Sequence, residues 1–111
     1  MKTMMKALES IEEFEELCNQ EKITVFVFSA DWCPDCLFIK PFLPRLIDKY
    51  HDYRFIYVDR DAFVDIAKDL KVMGIPSFIA FSSETELGRF VSKLRKTEKE
   101  IDDFLHSLRL K

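Results

Sequence analysis

Between Ile23 and Ser29 the chain is apolar on both alternating sets, with Val25 and Val27 on one and Phe26 and Phe28 on the other. Successive side chains of a strand point to opposite faces, so such a run is stable only where both faces are covered. It predicts a central strand with helices packed on both sides of the sheet.

The flanking segments supply those helices. Ser10 and Glu13 form a capping-box pattern beside Leu8, Ile11, Phe14, Leu17 and Cys18 at helical spacing, which places a first helix over roughly Ser10 to Gln20. From Pro34 to Tyr50, Leu37, Phe38, Phe42, Leu46, Ile47 and Tyr50 fit a long helix that Pro41 and Pro44 must kink or restart, because each removes a backbone donor. Arg54 to Val58 reads as a second strand and Ala62 to Leu70 as a third helix. The order α, β, α, β, α implies parallel strands joined by right-handed crossovers. After Gly74-Ile75-Pro76 the pattern changes. Ser77 to Phe81 and Leu87 to Val91 read as a hairpin around Ser82-Ser83-Glu84-Thr85, and Thr97 with Glu100 caps a last helix carrying Ile101, Phe104, Leu105 and Leu108. The fold class is α/β, a central mixed β-sheet flanked by helices on both faces, in one domain over residues 1–111.

A chain of 111 residues with 48% hydrophobic content and eleven Phe can build its core without disulfide or metal staples. Its cysteines are therefore free for chemistry. A net charge of -3 leaves no broad basic face, and Lys93-Leu94-Arg95-Lys96 reads as a solvated turn, so nucleic acid is not an expected partner. Met1 to Leu8, with lysines at 2 and 6, has neither the apolar core nor the cleavage site of a leader. The run Ile23 to Phe28 is too short to span a bilayer, so no membrane association is expected. Three cysteines are too few, and odd in number, for a secreted disulfide framework. The expected compartment is the cytoplasm, with Cys18 a reduced, buried, small apolar residue of the first helix.

Where the central strand gives way to the helix, the chain reads Ser29-Ala30-Asp31-Trp32-Cys33-Pro34-Asp35-Cys36. At a helix start the Cys33 sulfur faces unpaired N–H groups and the positive end of the helix dipole, which favour thiolate over thiol. Cys36, one turn on, is close enough to close a small disulfide. The bland alternatives are a structural pair or half a zinc site. No second CxxC is present, and His51 and His106 are isolated, so redox chemistry is favoured and no metal is expected. Asp31, Asp59 and Asp61 read as solvated or capping groups.

Along nearly its whole length the chain resembles the thioredoxin family: Trp32 before the first cysteine, Lys40-Pro41 in the following helix, Val58-Asp59 ending a strand, and Gly74-Ile75-Pro76 ahead of the hairpin. The WCPDC motif looks most like thioredoxin-like and thioredoxin-related proteins; typical thioredoxin has Gly-Pro between its cysteines. The resemblance implies that Cys33 is the nucleophile and Cys36 the resolving thiol of a dithiol–disulfide cycle with a mixed-disulfide intermediate. It implies that Pro76 is a cis-proline opposite the cysteines, leaving the Ile75 backbone to pair with an extended substrate. Trp32 and Pro34 would complete the docking rim, with specificity extending to Ser92-Lys93.

Two departures matter. Typical members carry a buried acid six residues before the nucleophile, where this chain has Val27, and a lysine on the next strand, where it has Phe55. Asp35 is the local carboxylate available for acid–base work or for tuning, and it also suits the first turn of a helix. At roughly 7 Å and an effective dielectric of 20 to 80, its repulsion of the Cys33 thiolate is about 0.6 to 2.4 kcal/mol. That predicts a reductant, with a shift of a few tens of mV at most, and a rise in both thiolate fraction and potential for Asp35→His.

The function expected is a cytosolic thiol–disulfide oxidoreductase acting on protein or small-thiol disulfides, as a monomer without bound cofactor. Its electrons are expected from an NADPH-dependent reductase or from a low-molecular-weight thiol. The alternatives are a thioredoxin-like binding module without turnover, which would tolerate Cys33→Ser, and a glutaredoxin-like reductase of small-thiol mixed disulfides, which would work with Cys33 alone.

Overall fold

Every residue of the strand Thr24–Ser29 (β2) is buried. In the computed structural model, which describes residues 1 and 3–111, this strand pairs in parallel with Arg54–Asp59 (β3) and antiparallel with Ser77–Ser82 (β4). Thr85–Phe90 (β5) lies antiparallel to β4 at one edge. Lys6–Ala7 (β1) pairs in parallel with β3 at the other, so the order is β1-β3-β2-β4-β5. Lys2, one of the two lysines that set the N-terminal stretch apart from a leader, lies outside the described residues.

The helices Ile11–Asn19 (α1) and Val64–Asp69 (α4) cover one face. There Leu17, Cys18, Ile66 and Ala67 pack with Phe26, Phe28, Ile56, Val58 and Ile79. The opposite face is covered by Pro34–Ile39 (α2), Leu43–Lys49 (α3) and Glu98–Ser107 (α5). Ile39, Leu43, Leu46, Ile101 and Leu105 pack there with Val25, Val27, Phe55, Tyr57 and Phe78. Each large apolar side chain so enclosed contributes about 1.5–3 kcal/mol. The result is the expected α/β arrangement, a mixed sheet between two helical layers.

Of the two outcomes expected at Pro41 and Pro44 the second holds, and three other details differ from the sequence reading. The long helix is restarted: α2 ends at Ile39, Pro41 falls in the break, and Pro44 sits in the first turn of α3, where a missing N–H is harmless. At α1 only half of the capping box forms. Ser10 Oγ accepts the Glu13 N–H at 3.0 Å, but the Glu13 carboxylate accepts the Glu9 N–H at 2.9 Å. The box at Thr97 is complete. The hairpin is tighter than expected, because Ser83 and Glu84 both adopt left-handed backbone (φ 50° and 68°) and turn the chain in two residues, so β5 begins at Thr85.

The third difference concerns the basic run 93–96, which is not a solvated turn throughout. Leu94 is exposed, but Lys96 is only 1% exposed. Its ammonium donates to the carbonyls of Ser92 (3.1 Å) and Leu94 (3.2 Å) and lies 5.3 Å from the centre of the Phe90 ring. Burial pulls its pKa below the ordinary lysine value, against the opposing pull of Asp35, Cys36, Glu100 and Cys33. Among the described residues no helix is long and apolar enough to cross a membrane.

Candidate active site

Where β2 ends, the chain turns through Ala30, Asp31 and Trp32 and reaches Cys33 immediately before α2. Its backbone is extended (φ -81°, ψ 117°), which makes it the N-cap of α2. The Cys33 sulfur accepts the Cys36 N–H at 3.2 Å, the bond that Ser or Asp oxygens make at other helix starts. Pro34 follows at the first helical position, where it has no donor to waste. The Cys33 thiol also meets the Ile75 carbonyl at 3.6 Å. Both cysteines are unpaired, so the structure describes the dithiol form. Cys33 is 4% exposed and Cys36, turned inward, 1%.

The inner sulfur stands in a different environment. Burial pushes the Cys36 thiol up to about 12, and hydrogen bonding with Cys33 adds to the effect. The Ser29 hydroxyl and the Ala30 backbone act the other way. One sulfur thus sits on a helix N-terminus and the other is held protonated at neutral pH. Such a pair can exchange with an outside disulfide and then close on itself.

The rim is assembled from distant parts of the chain. Trp32 is 60% exposed, and its ring N–H donates to Asp61 Oδ2 at 2.6 Å while the Arg60 guanidinium lies 5.4 Å from the ring centre. Asp61 is itself held in place by Asp59, whose carboxylate accepts the backbone N–H groups of Asp61 (2.9 Å) and Ala62 (3.3 Å). Beside Trp32 lies a cleft of about 410 Å³ whose walls include Arg60, Val64, Ala67, Val72 and the exposed Met73. Opposite the cysteines, the Ile75–Pro76 peptide bond is cis. Gly74 precedes it where no side chain fits, since a Cβ would meet the Ser92 carbonyl and stand 2.8 Å from Lys93 Cα.

Asp35 is not the lone carboxylate that the sequence suggests. Arg95 Nε donates to Asp35 Oδ1 at 2.9 Å, and the same guanidinium covers the Phe38 ring at 4.6 Å. The guanidinium places a positive charge against the carboxylate, opposing the repulsion that Asp35 alone would exert on a Cys33 thiolate. Cys18 lies apart from the site in the α1 layer, and burial together with Glu15 pushes its thiol up to about 11.

The structure thus brings Trp32, Cys33, Pro34, Asp35, Cys36, Ile75 and Pro76 together. Sequence reasoning missed Asp61 as the partner of Trp32, Arg95 as the partner of Asp35, and the burial of Lys96. These pairings span 29 and 60 residues and have no periodic signature. It also missed the second cavity, of about 250 Å³, behind Cys36.

The Thioredoxin family model matches residues 5–107. The thioredoxin of Rattus norvegicus is 38% identical over 104 residues, spanning 91% of this chain and 99% of that protein. The mitochondrial thioredoxin-2 of Schizosaccharomyces pombe is 37% identical over 93 residues, 84% of this chain and 70% of that protein. Among solved structures, mitochondrial thioredoxin 3 from Saccharomyces cerevisiae, in its oxidized form, superposes with a TM-score of 0.82 at 28% identity, covering 95% of this chain and 96% of that one. Thioredoxin from Trypanosoma brucei brucei superposes with a TM-score of 0.85 at 22% identity, covering 96% and 92%, and shares the fold.

Proposed function

The chain belongs to the thioredoxin family and is a thiol–disulfide oxidoreductase, and from that premise we propose that it reduces disulfides by a cycle in which Cys33 attacks and Cys36 resolves. Members of this family act on disulfide-containing substrates and are recycled by thioredoxin reductase. The observation that carries the assignment of roles is the contrast between the two sulfurs: Cys33 caps α2 and receives the Cys36 N–H, whereas Cys36 is turned inward beneath it.

The Cys33 thiolate attacks one sulfur of a substrate disulfide and forms a mixed disulfide. Cys36 then attacks Cys33 Sγ, the substrate leaves as a thiol, and the chain is left with the Cys33–Cys36 disulfide. An extended substrate segment lies along Ile75-Pro76, with Trp32 and Pro34 forming the rim and the cleft beyond Trp32 taking an apolar side chain. Asp35, paired with Arg95, shapes the helix start rather than moving protons. The working form is a monomer in the cytoplasm, a compartment supported by the low and odd cysteine number. Its electrons come from an NADPH-dependent reductase or a low-molecular-weight thiol.

The test is reduction of insulin disulfides by stoichiometric reduced protein. Cys33→Ser is expected to abolish the reaction, and Cys36→Ser to stop it at a covalent protein–insulin adduct that dithiothreitol releases. Full activity of Cys33→Ser would support the binding-module alternative. Full turnover of Cys36→Ser with glutathione would support the glutaredoxin-like one.

A further inference from the structure

Cys36 faces Cys33 on one side, and on the other it opens on a cavity of about 250 Å³ whose polar lining comes from Ser29, Asp31, Lys40 and Tyr57. The sheet register explains this lining. Odd-numbered residues of β2 and β3 share the face beneath α2, and Val27 pairs directly with Tyr57. Val27 can accept no proton, but the neighbouring strand brings a phenol to the same level, and Ser29, two residues on, brings a hydroxyl. Ser29 and Tyr57 are each 1% exposed. The Ser29 hydroxyl shares the lining of this cavity with both Cys36 and Tyr57, and it favours the ionised form of the Cys36 thiol. Burial pushes Tyr57 up to about 12, which keeps it a neutral hydroxyl at working pH. A cavity of this size has room for several waters at about 30 Å³ each.

We propose that Ser29 is the proton relay of the resolving step, taking the Cys36 proton as it passes its own into the cavity toward Asp31 and solvent. The proposal rests on Cys36 being the resolving thiol. In the first step Cys33 has formed a mixed disulfide with the substrate, and the first leaving thiolate has taken a proton from solvent. The Cys36 proton then moves to Ser29 Oγ while the Ser29 proton moves outward, so the serine ends as it began. The Cys36 thiolate attacks Cys33 Sγ, the mixed disulfide breaks, and the second substrate sulfur leaves and is protonated. Two electrons have passed to the substrate disulfide, and the Cys33–Cys36 disulfide has formed.

Other titratable or charged groups bear on this thiol from each neighbouring element: Cys33 at the head of α2, Asp31 in the turn after β2, Lys40 after α2, Asp35 within α2, Tyr57 on β3, and Lys96 ahead of α5. Replacing Ser29 removes none of these groups, so the pH profile of that variant reports on the relay.

The experiment uses the whole protein, reduced and mixed in a stopped-flow instrument with less than one equivalent of Ellman's reagent from pH 6 to 10. The first nitrothiobenzoate released reports attack by Cys33, and the second reports resolution by Cys36. Ser29→Ala is expected to slow the second release about tenfold near neutral pH, leaving the first unchanged, and Ser29→Thr to restore it. An unchanged second phase in Ser29→Ala would overturn the relay. So would equal slowing of both phases in the alanine and threonine variants, which is what a purely structural role produces. Absence of a second release from the unaltered protein would instead remove the resolving role of Cys36, and the relay with it.

Discussion

The two cysteines of the motif stand in different surroundings because single backbone and side-chain contacts separate them. Cys33 holds a helix N-terminus through its sulfur, and Cys36 is enclosed. Beside them, Asp35 and Arg95 form a pair whose side chains are 30% and 55% exposed, so its worth to stability is at most about 1 kcal/mol. Its electrostatic consequence for Cys33 is separable from that. Arg95→Ala leaves the Asp35 charge uncompensated beside the sulfur and is expected to lower the reduction potential by about 10–50 mV and to slow alkylation of Cys33 at neutral pH. Asp35→Asn is expected to move both readouts the opposite way, and the double variant to return near the starting values. Shifts of the two single variants in the same direction, measured against defined thiol–disulfide buffers, would reject the pairing. At this scale the sequence was legible where chemistry is local, as in a CxxC at a strand-to-helix junction. It was silent on Asp35–Arg95 and Trp32–Asp61, because contacts across 60 and 29 residues depend on how loops return to the sheet.

Among the elements, the long ones carry their own signals. The apolar runs of β2 and β3 and the capped, periodic α1 and α5 were legible because burial on two faces and on one stripe leaves different patterns. β1 was not, since two residues show no period, and the early start of β5 was not, because Ser83 and Glu84 take left-handed backbone without Gly or Asn. The segment 92–96 matters more than its irregular form suggests. Lys96, buried, ties the Ser92 and Leu94 carbonyls, and the Ser92 carbonyl in turn closes over Gly74, next to Ile75-Pro76. Gly74→Ala forces that stack apart, because the contact is with backbone rather than with a flexible side chain. It is expected to cost about 1–3 kcal/mol in urea unfolding and to weaken substrate reduction through a raised KM. Unaltered stability and KM would show that the rim can yield at no cost.

For the whole molecule, the same burial that builds the core makes stability depend on alkaline pH. The Cys18 thiol rises from an ordinary value of 9.0 to about 11, Cys36 to about 12 and Tyr57 to about 12. Folded values above unfolded ones mean that the folded chain keeps protons the unfolded chain gives up, so the stabilisation is complete below about pH 9 and is lost as pH rises toward 11–12. Lys96, lowered by burial, works in the other direction and offsets part of that loss up to about pH 10.5. Cys18 alone accounts for about 2–3 kcal/mol between pH 8 and pH 11. Cys18→Ala is therefore expected to be less stable than the parent at pH 8 but to lose less on going to pH 11, read as urea midpoints; parallel pH profiles would contradict this. In the proposed cycle one reversible dithiol couple, Cys33–Cys36, carries the activity while Cys18 stands aside. The most direct test is equilibration against graded dithiothreitol redox buffers with acid trapping and mass counting of free thiols, for the parent and each single cysteine-to-serine variant. A single two-electron transition in the parent and in Cys18→Ser, absent from Cys33→Ser and Cys36→Ser, is predicted; a transition that survives loss of Cys33 or Cys36, or that requires Cys18, would contradict it.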